Sequence, residues 1–170
     1  SQKEARQRAG LITDKQLILF VSQRVTDKRK GIDFLIEAVG KLIEARPELK
    51  DHLGVAILGG HSEAITDNLP LPVYSLGYIS DEKRLVDIYN SANVFVLPSL
   101  EDNLPNTIME SMACGVPCVG FRVGGIPEMI DHKMNGYVAE FKDASDFAAG
   151  LFWVLHEADH DELRRNAVQK

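Results

Sequence analysis

The chain has 170 residues, a length that suits one domain spanning 1–170 with a substantial core. Its 45% hydrophobic and 26% charged residues set it apart from disordered, collagen-like and membrane-spanning compositions. Twenty-five acidic against 19 basic residues give a formal charge of −6, which argues against nucleic acid and other general polyanions as partners, so any phosphate site must be local.

Short apolar runs alternate with amphipathic stretches, the pattern of βαβ units and a mostly parallel sheet. Leu17 to Val21 reads as a buried strand, and from Gly31 to Arg46 the residues Phe34, Leu35, Ala38, Leu42 and Ile43 recur at helical spacing until Pro47 stops them. Val55 to Leu58 is the next strand, ending in Gly59-Gly60, and Val73 to Leu76 a third, closed by Gly77. Ser80 can cap a helix that carries Asp81 and Glu82 in its first turn and runs to about Asn90. Val94 to Leu97 is the fourth strand. Pro105 to Ala113 reads as a helix, Pro117 to Phe121 as a strand, and Pro127 to Ile130 as a short helix begun by proline. Asn135-Gly136 turns into an edge strand over Tyr137 to Phe141, and a last helix from about Ser145 to His156 presents Phe147, Leu151, Val154 and Leu155 on one face. The right-handed crossover rule makes this an α/β, doubly wound, mostly parallel sheet, whose ligands sit beyond the carboxyl ends of the strands.

The residues that follow the first and fourth strands carry the chemistry. Arg24-Val25-Thr26-Asp27-Lys28-Arg29-Lys30-Gly31 places four cations in seven residues where a loop enters a helix, a place for a diphosphate; a solvated charged loop is the competing reading, and no Walker or GxGxxG glycine pattern is present. Pro98-Ser99-Leu100-Glu101-Asp102-Asn103-Leu104-Pro105-Asn106-Thr107-Ile108-Met109-Glu110 is a loop that becomes a helix, with acids at both ends. Helix-end amides near Leu104 to Thr107 suit a phosphate, and the flanking carboxylates suit sugar or ribose hydroxyls. The bland alternative has Asp102 or Asn103 capping the helix and Glu110 at its surface.

Arg24 to Gly31, Gly77 to Ser99 and Asp102 to Glu128 together resemble the C-terminal, donor-binding domain of the group 1 (family 4) glycosyltransferases, over nearly the whole chain. The most specific part is Pro98-Ser99 followed by Asp102 through Pro117, which is similar to the family's E-x7-E signature with its alanine-cysteine-glycine-x-proline tail. The resemblance implies a Rossmann-like half of a two-domain GT-B fold. It also implies a hexosyltransferase-type enzyme that retains anomeric configuration in glycan or polysaccharide synthesis, inactive as an isolated domain without its N-terminal acceptor-binding half. It assigns the donor-sugar hydroxyls to Asp102, the ribose to Glu110 and the diphosphate to Arg24 and Lys30. Gly60, Ser80, Asn103, Leu104, Pro105, Asn106 and Thr107 complete the expected donor-binding set. Asp102 stands where the family usually has glutamate, with Glu101 as the adjacent alternative, and Gln23 where a glycine commonly precedes the arginine.

The implied substrate is a UDP- or GDP-sugar, with no cofactor and no metal. Neither Cys114 and Cys118, spaced C-x3-C, nor any other cluster has metal-ligand spacing, and both thiols read as small buried side chains. No apolar run approaches the roughly 18 residues of a membrane span, and Ser1-Gln2-Lys3-Glu4 does not begin a signal peptide, so the expected location is cytoplasmic with at most peripheral membrane contact through the other half. His61 follows a strand, an address for a ligand contact, but a lone histidine there is more often incidental. Gly124-Gly125-Ile126-Pro127-Glu128 also follows a strand and either forms another pocket wall or is simply a tight turn with a proline helix start; Trp153 reads as core or as a seam with another domain. Two other classes compete. A GT-B sugar-nucleotide epimerase is not expected to carry the E-x7-E loop, and a flavodoxin-like or signalling module needs an acidic pocket where this chain has Gln23 and Arg24.

Overall fold

Runs such as Leu17-Ile18-Leu19-Phe20 and Val94-Phe95-Val96-Leu97 are apolar at every position because both faces of their sheet are covered, as a parallel sheet requires. The computed structural model describes residues 1–24, 27–60, 62–101 and 105–170, with Gln23, Arg24 and Ala64 described through their backbone. Six strands form one sheet: β1 Gln16–Arg24, β2 Leu53–Gly60, β3 Val73–Gly77, β4 Val94–Leu97, β5 Cys118–Phe121 and β6 Gly136–Ala139. Their order is β3-β2-β1-β4-β5-β6, and every pairing is parallel. The chain winds outward from β1 to β3, then returns to place β4 on the other side of β1, so the topological switch point lies between β1 and β4.

Among the described residues seven α-helices flank the sheet: α1 Gln2–Ala9, α2 Ile32–Ala45, α3 Glu82–Ser91, α4 Asn106–Ala113, α5 Ile126–Met129, α6 Ala144–Phe152 and α7 His160–Gln169. Alternate strand residues serve opposite faces. Ile18, Phe20, Val94 and Val96 pack with Leu35, Val39, Phe147 and Leu151 of α2 and α6. Leu17, Leu19, Phe95 and Leu97 pack with Ile88, Tyr89, Ile108, Met112 and Ala167 of α3, α4 and α7.

The expected elements are present, with shifts that have local causes. The α3 cap is Asp81, not Ser80: the Asp81 backbone is extended and its side chain accepts from the Lys83 amide at 2.9 Å. Pro105 occupies the cap position of α4, which begins at Asn106; the capping role expected of Asp102 or Asn103 falls on residues outside the described ones. Pro127 is the second residue of α5, after Ile126, and β6 ends at Ala139 rather than Phe141. The helix expected to be last continues through a π-helical turn, Trp153–Glu157, and is followed by α7; neither α7 nor α1 is among the elements expected from the sequence.

Candidate functional site

The carboxyl ends of β1 and β4 deliver the two chemistry-bearing segments to one place. Beyond β1, Asp27 caps a 3-10 turn over Lys28–Lys30, its carboxylate accepting from the Arg29 amide at 3.1 Å. The Arg29 guanidinium returns a two-point contact to the same carboxylate, at 3.3 and 3.0 Å. This hydrogen bonding holds the Asp27 carboxyl below its ordinary range and raises Arg29 in turn. Lys28 pairs with Asp33 at 3.1 Å. Arg29 is thus engaged by an acid of its own segment and Lys28 by an acid in the first turn of α2.

The segment after β4 is joined to this turn. The Leu100 amide donates to the Arg29 carbonyl at 2.8 Å, and Glu101 Oε1 lies 3.9 Å from Arg29 Nε. Gly31 follows in the left-handed region, φ 74°, and a Cβ there would overlap the Pro98 carbonyl oxygen, so only glycine lets the two segments approach this closely. Ser99 is fully buried at this seam, and its hydroxyl has no partner among the described residues.

Arg24 and Gly60, the last residues of β1 and β2, are paired in register. Gly59 approaches the Ser22 carbonyl where side chains would not fit, and the Tyr78 hydroxyl occupies the space beside Gly60. The structure therefore brings Arg24, Gly60 and the Lys28–Lys30 turn to the same edge of the sheet as the start of α4. Ser80 lies exposed just before α3. Asp102, Asn103 and Leu104 lie outside the described residues, as do Val25, Thr26, His61 and the Arg24 side chain.

At the start of α4 the cap residue, Pro105, offers no side-chain hydrogen-bonding group to the helix. The Ile108 amide bonds the Pro105 carbonyl at 3.2 Å, while Asn106 and Thr107, at the first two helical positions, lie where amides have no intrahelical acceptor. Further along α4, Glu110 is exposed and its Oε2 accepts a hydrogen bond at 2.9 Å from the Tyr89 hydroxyl of α3. Burial, then this hydrogen bond, pushes the Tyr89 phenol far above its ordinary range. Tyr89 and Arg29 make contacts at the candidate site that local sequence spacing does not reveal. Tyr89 stands 21 positions before Glu110, outside any local spacing rule, and Arg29 reads from sequence as one of four equivalent cations.

Cys118 is wholly buried, its thiol pushed up to about 12 by desolvation, and Cys114 is partly buried. Trp153 packs near Tyr137, 6.2 Å between ring centres, in keeping with a core role. Among the described residues no three His, Cys, Asp or Glu side chains gather as a metal site, and no helix is long and apolar enough to cross a membrane.

A parallel, doubly wound domain whose central strands bring a cationic turn and an acidic loop to the switch point belongs to the Rossmann-like ligand-binding α/β class. Residues 15–157 match the family described as glycosyl transferases group 1, and the chain belongs to that family. A D-inositol 3-phosphate glycosyltransferase of Thermobifida fusca is 32% identical over 168 residues, covering 92% of this chain and 38% of the relative. An uncharacterized glycosyltransferase of Methanocaldococcus jannaschii is 32% identical over 97% of this chain and 42% of its own length. Among solved structures, sucrose-phosphate synthase from Thermosynechococcus elongatus superposes with a TM-score of 0.78 at 25% identity, over 98% of this chain and 43% of the other. Anabaena HepE in complex with UDP-glucose gives 0.77 at 19% identity, over 99% and 46%. The chain spans about two-fifths of the length of the curated relatives it matches.

Proposed function

We propose that this domain is the donor-sugar-nucleotide half of a retaining GT-B glycosyltransferase, holding a UDP- or GDP-sugar for transfer to an acceptor bound by a further, N-terminal half. The observation that carries the reading is the junction at the switch point, where the cationic turn after β1 and the loop leading to α4 are joined by the Leu100–Arg29 hydrogen bond and the Gly31–Pro98 contact. Family membership and the partial coverage of longer relatives support it, as does the likeness in fold to HepE, whose structure holds UDP-glucose.

As the bond between the anomeric carbon and the diphosphate oxygen breaks, negative charge grows on the leaving group. Cations and helix-end amides already aimed at it lower the barrier without reorganising. Arg24 and Lys30 supply the cations and the start of α4, at Asn106 and Thr107, the amides. Asp102 accepts from the donor-sugar hydroxyls and Glu110 from the ribose. The acceptor hydroxyl attacks on the face from which the diphosphate departs and passes its proton to the departing diphosphate oxygen, so configuration is retained. Asp102 and Glu110 bind here and do not act as the acid and nucleophile of a hydrolase. The charge balance needs no metal, and the chemistry suits a hexosyltransferase of glycan or polysaccharide synthesis on the cytoplasmic side. Calorimetric titration of the chain with UDP, GDP and ADP, repeated on Glu110→Ala, tests the reading. Saturable binding of one nucleotide that is lost in the variant supports it and names the base; no binding at millimolar concentration overturns it.

A further inference from the structure

A glutamate on the exposed side of a helix ordinarily samples many rotamers, and fixing it costs entropy whenever a ligand needs it in one place. Glu110 is such a residue, but its Oε2 already accepts from the Tyr89 hydroxyl at 2.9 Å. The donor is itself immobile. Tyr89 is 3% exposed, and its ring stands edge-on to Phe95, 6.1 Å between centres and 80° between planes. Phe95 is wholly buried in β4, the strand that leads into the acidic loop. Orientation therefore passes from the central sheet through two rings to one carboxylate.

We infer that Tyr89 is a positioning residue of the donor site, a buried phenol that holds the Glu110 carboxylate in one orientation so that its remaining lone pairs accept from the two ribose hydroxyls of a nucleoside diphosphate. The inference rests on the donor reading and adds to it the device that fixes the ribose contact. A carboxylate offers about four lone-pair sites, so one hydrogen bond from Tyr89 leaves enough for a vicinal diol. The chemistry of the partner matters as well. A lysine or arginine at this position would orient Glu110 but cancel its charge, and that charge is what strengthens hydrogen bonds from neutral hydroxyls. Tyr89 orients without neutralising, and burial keeps its proton in place. A tie that served only to join α3 to α4 would leave ribose recognition unaffected when removed.

Calorimetric titration of the 170-residue chain with UDP, GDP, their 2′,3′-dideoxy counterparts and inorganic pyrophosphate separates the possibilities, using Tyr89→Phe, Glu110→Ala and the double variant. Tyr89→Phe keeps the ring against Phe95 and removes only the hydroxyl. It is expected to weaken the ribonucleotide that binds by about tenfold, the scale of a lost charge-assisted contact. It is expected to leave the dideoxy counterpart and pyrophosphate unchanged, and to add nothing in the Glu110→Ala background. Unchanged ribonucleotide affinity in Tyr89→Phe overturns the inference alone, as does an equal loss with the dideoxy ligand, which marks a general structural defect. Failure of the unaltered chain to bind any nucleotide overturns the donor reading and this inference with it. Should Tyr89→Phe not fold, Phe95→Leu loosens the support behind the ring; the same ligand pattern at smaller amplitude is expected, and its absence overturns the inference.

Discussion

Lys28 and Lys30 are two positions apart on the same turn, yet they are expected to behave differently when removed. The Lys28 ammonium is 83% exposed and paired with Asp33 on α2, so Lys28→Ala should leave nucleoside diphosphate affinity unchanged. Arg24→Ala and Lys30→Ala should each weaken it by about 1.5–3 kcal/mol, the range of a charge-assisted hydrogen bond, and calorimetric titration of the three variants reads the contrast. Equal loss in all three would mean that the turn acts only through its summed charge. The cysteines permit a second contrast. Desolvation disfavours the Cys118 thiolate, so its folded value of about 12 lies above the unfolded one near 9. The stability contributed by keeping this thiol neutral is fully present below about pH 9 and is lost as pH rises towards 12. At pH 8 a thiol reagent should therefore modify at most Cys114 in the native chain and both cysteines after unfolding; reaction of Cys118 in the native state would contradict its burial. Arg24, Lys30 and Glu110 were legible as candidates because position after a strand, or in a helix that follows one, is a sequence property. The Tyr89–Glu110 bond was not, because it depends on how α3 and α4 pack across the same face of the sheet.

At the scale of elements, all six strands were legible: those buried on both faces, such as β2 and β4, write themselves as continuous apolar runs, whereas the half-exposed edge strand β3 was marked by the proline-containing loop before it and Gly77 after it. Helix α1 was not. Its sequence QKEARQRA buries only Ala5 and Arg6, and it is held by the Arg6 guanidinium, which donates to the Ser91 and Thr13 carbonyls and to Asn93 Oδ1 at 2.7 to 3.0 Å. A helix anchored by a buried polar network has no apolar stripe for a pattern to find. Helix α7 escaped because its apolar stripe is short, with only Leu163 and Ala167 buried, one helical turn apart. The start of α3 shows a finer limit. Ser80 and Asp81 are both good caps and adjacent, and backbone geometry decides between them. Asp81→Ala should destabilise the fold by about 0.5–2 kcal/mol in urea denaturation, whereas Ser80→Ala should stay within roughly 0.5 kcal/mol of the unaltered chain. The reverse order would restore the cap to Ser80.

For the whole molecule, the Gly31–Pro98 contact decides whether the two halves of the winding meet as one site. Gly31 and Gly77 have nearly the same backbone, φ 74° and 67°, so alanine at either incurs the roughly 1–2 kcal/mol of a left-handed residue. Nothing lies within 4 Å of a Cβ at Gly77, whereas at Gly31 the Cβ would overlap the Pro98 carbonyl. Gly31→Ala must then separate the turn after β1 from the loop after β4, and its loss of stability should exceed that of Gly77→Ala. The same separation should act on binding. A ligand that binds only the folded state at about 100 times its Kd stabilises it by about 2.7 kcal/mol, which for a domain of this size raises Tm by roughly 5–10 °C. UDP or GDP, whichever binds, should produce such a rise in the unaltered chain and in Gly77→Ala, and a much smaller one in Gly31→Ala at the same concentration. A full rise in Gly31→Ala would show that the diphosphate cations and the start of α4 bind without being held together. The junction would then be a feature of packing, and the diphosphate would have to be placed by one segment acting alone.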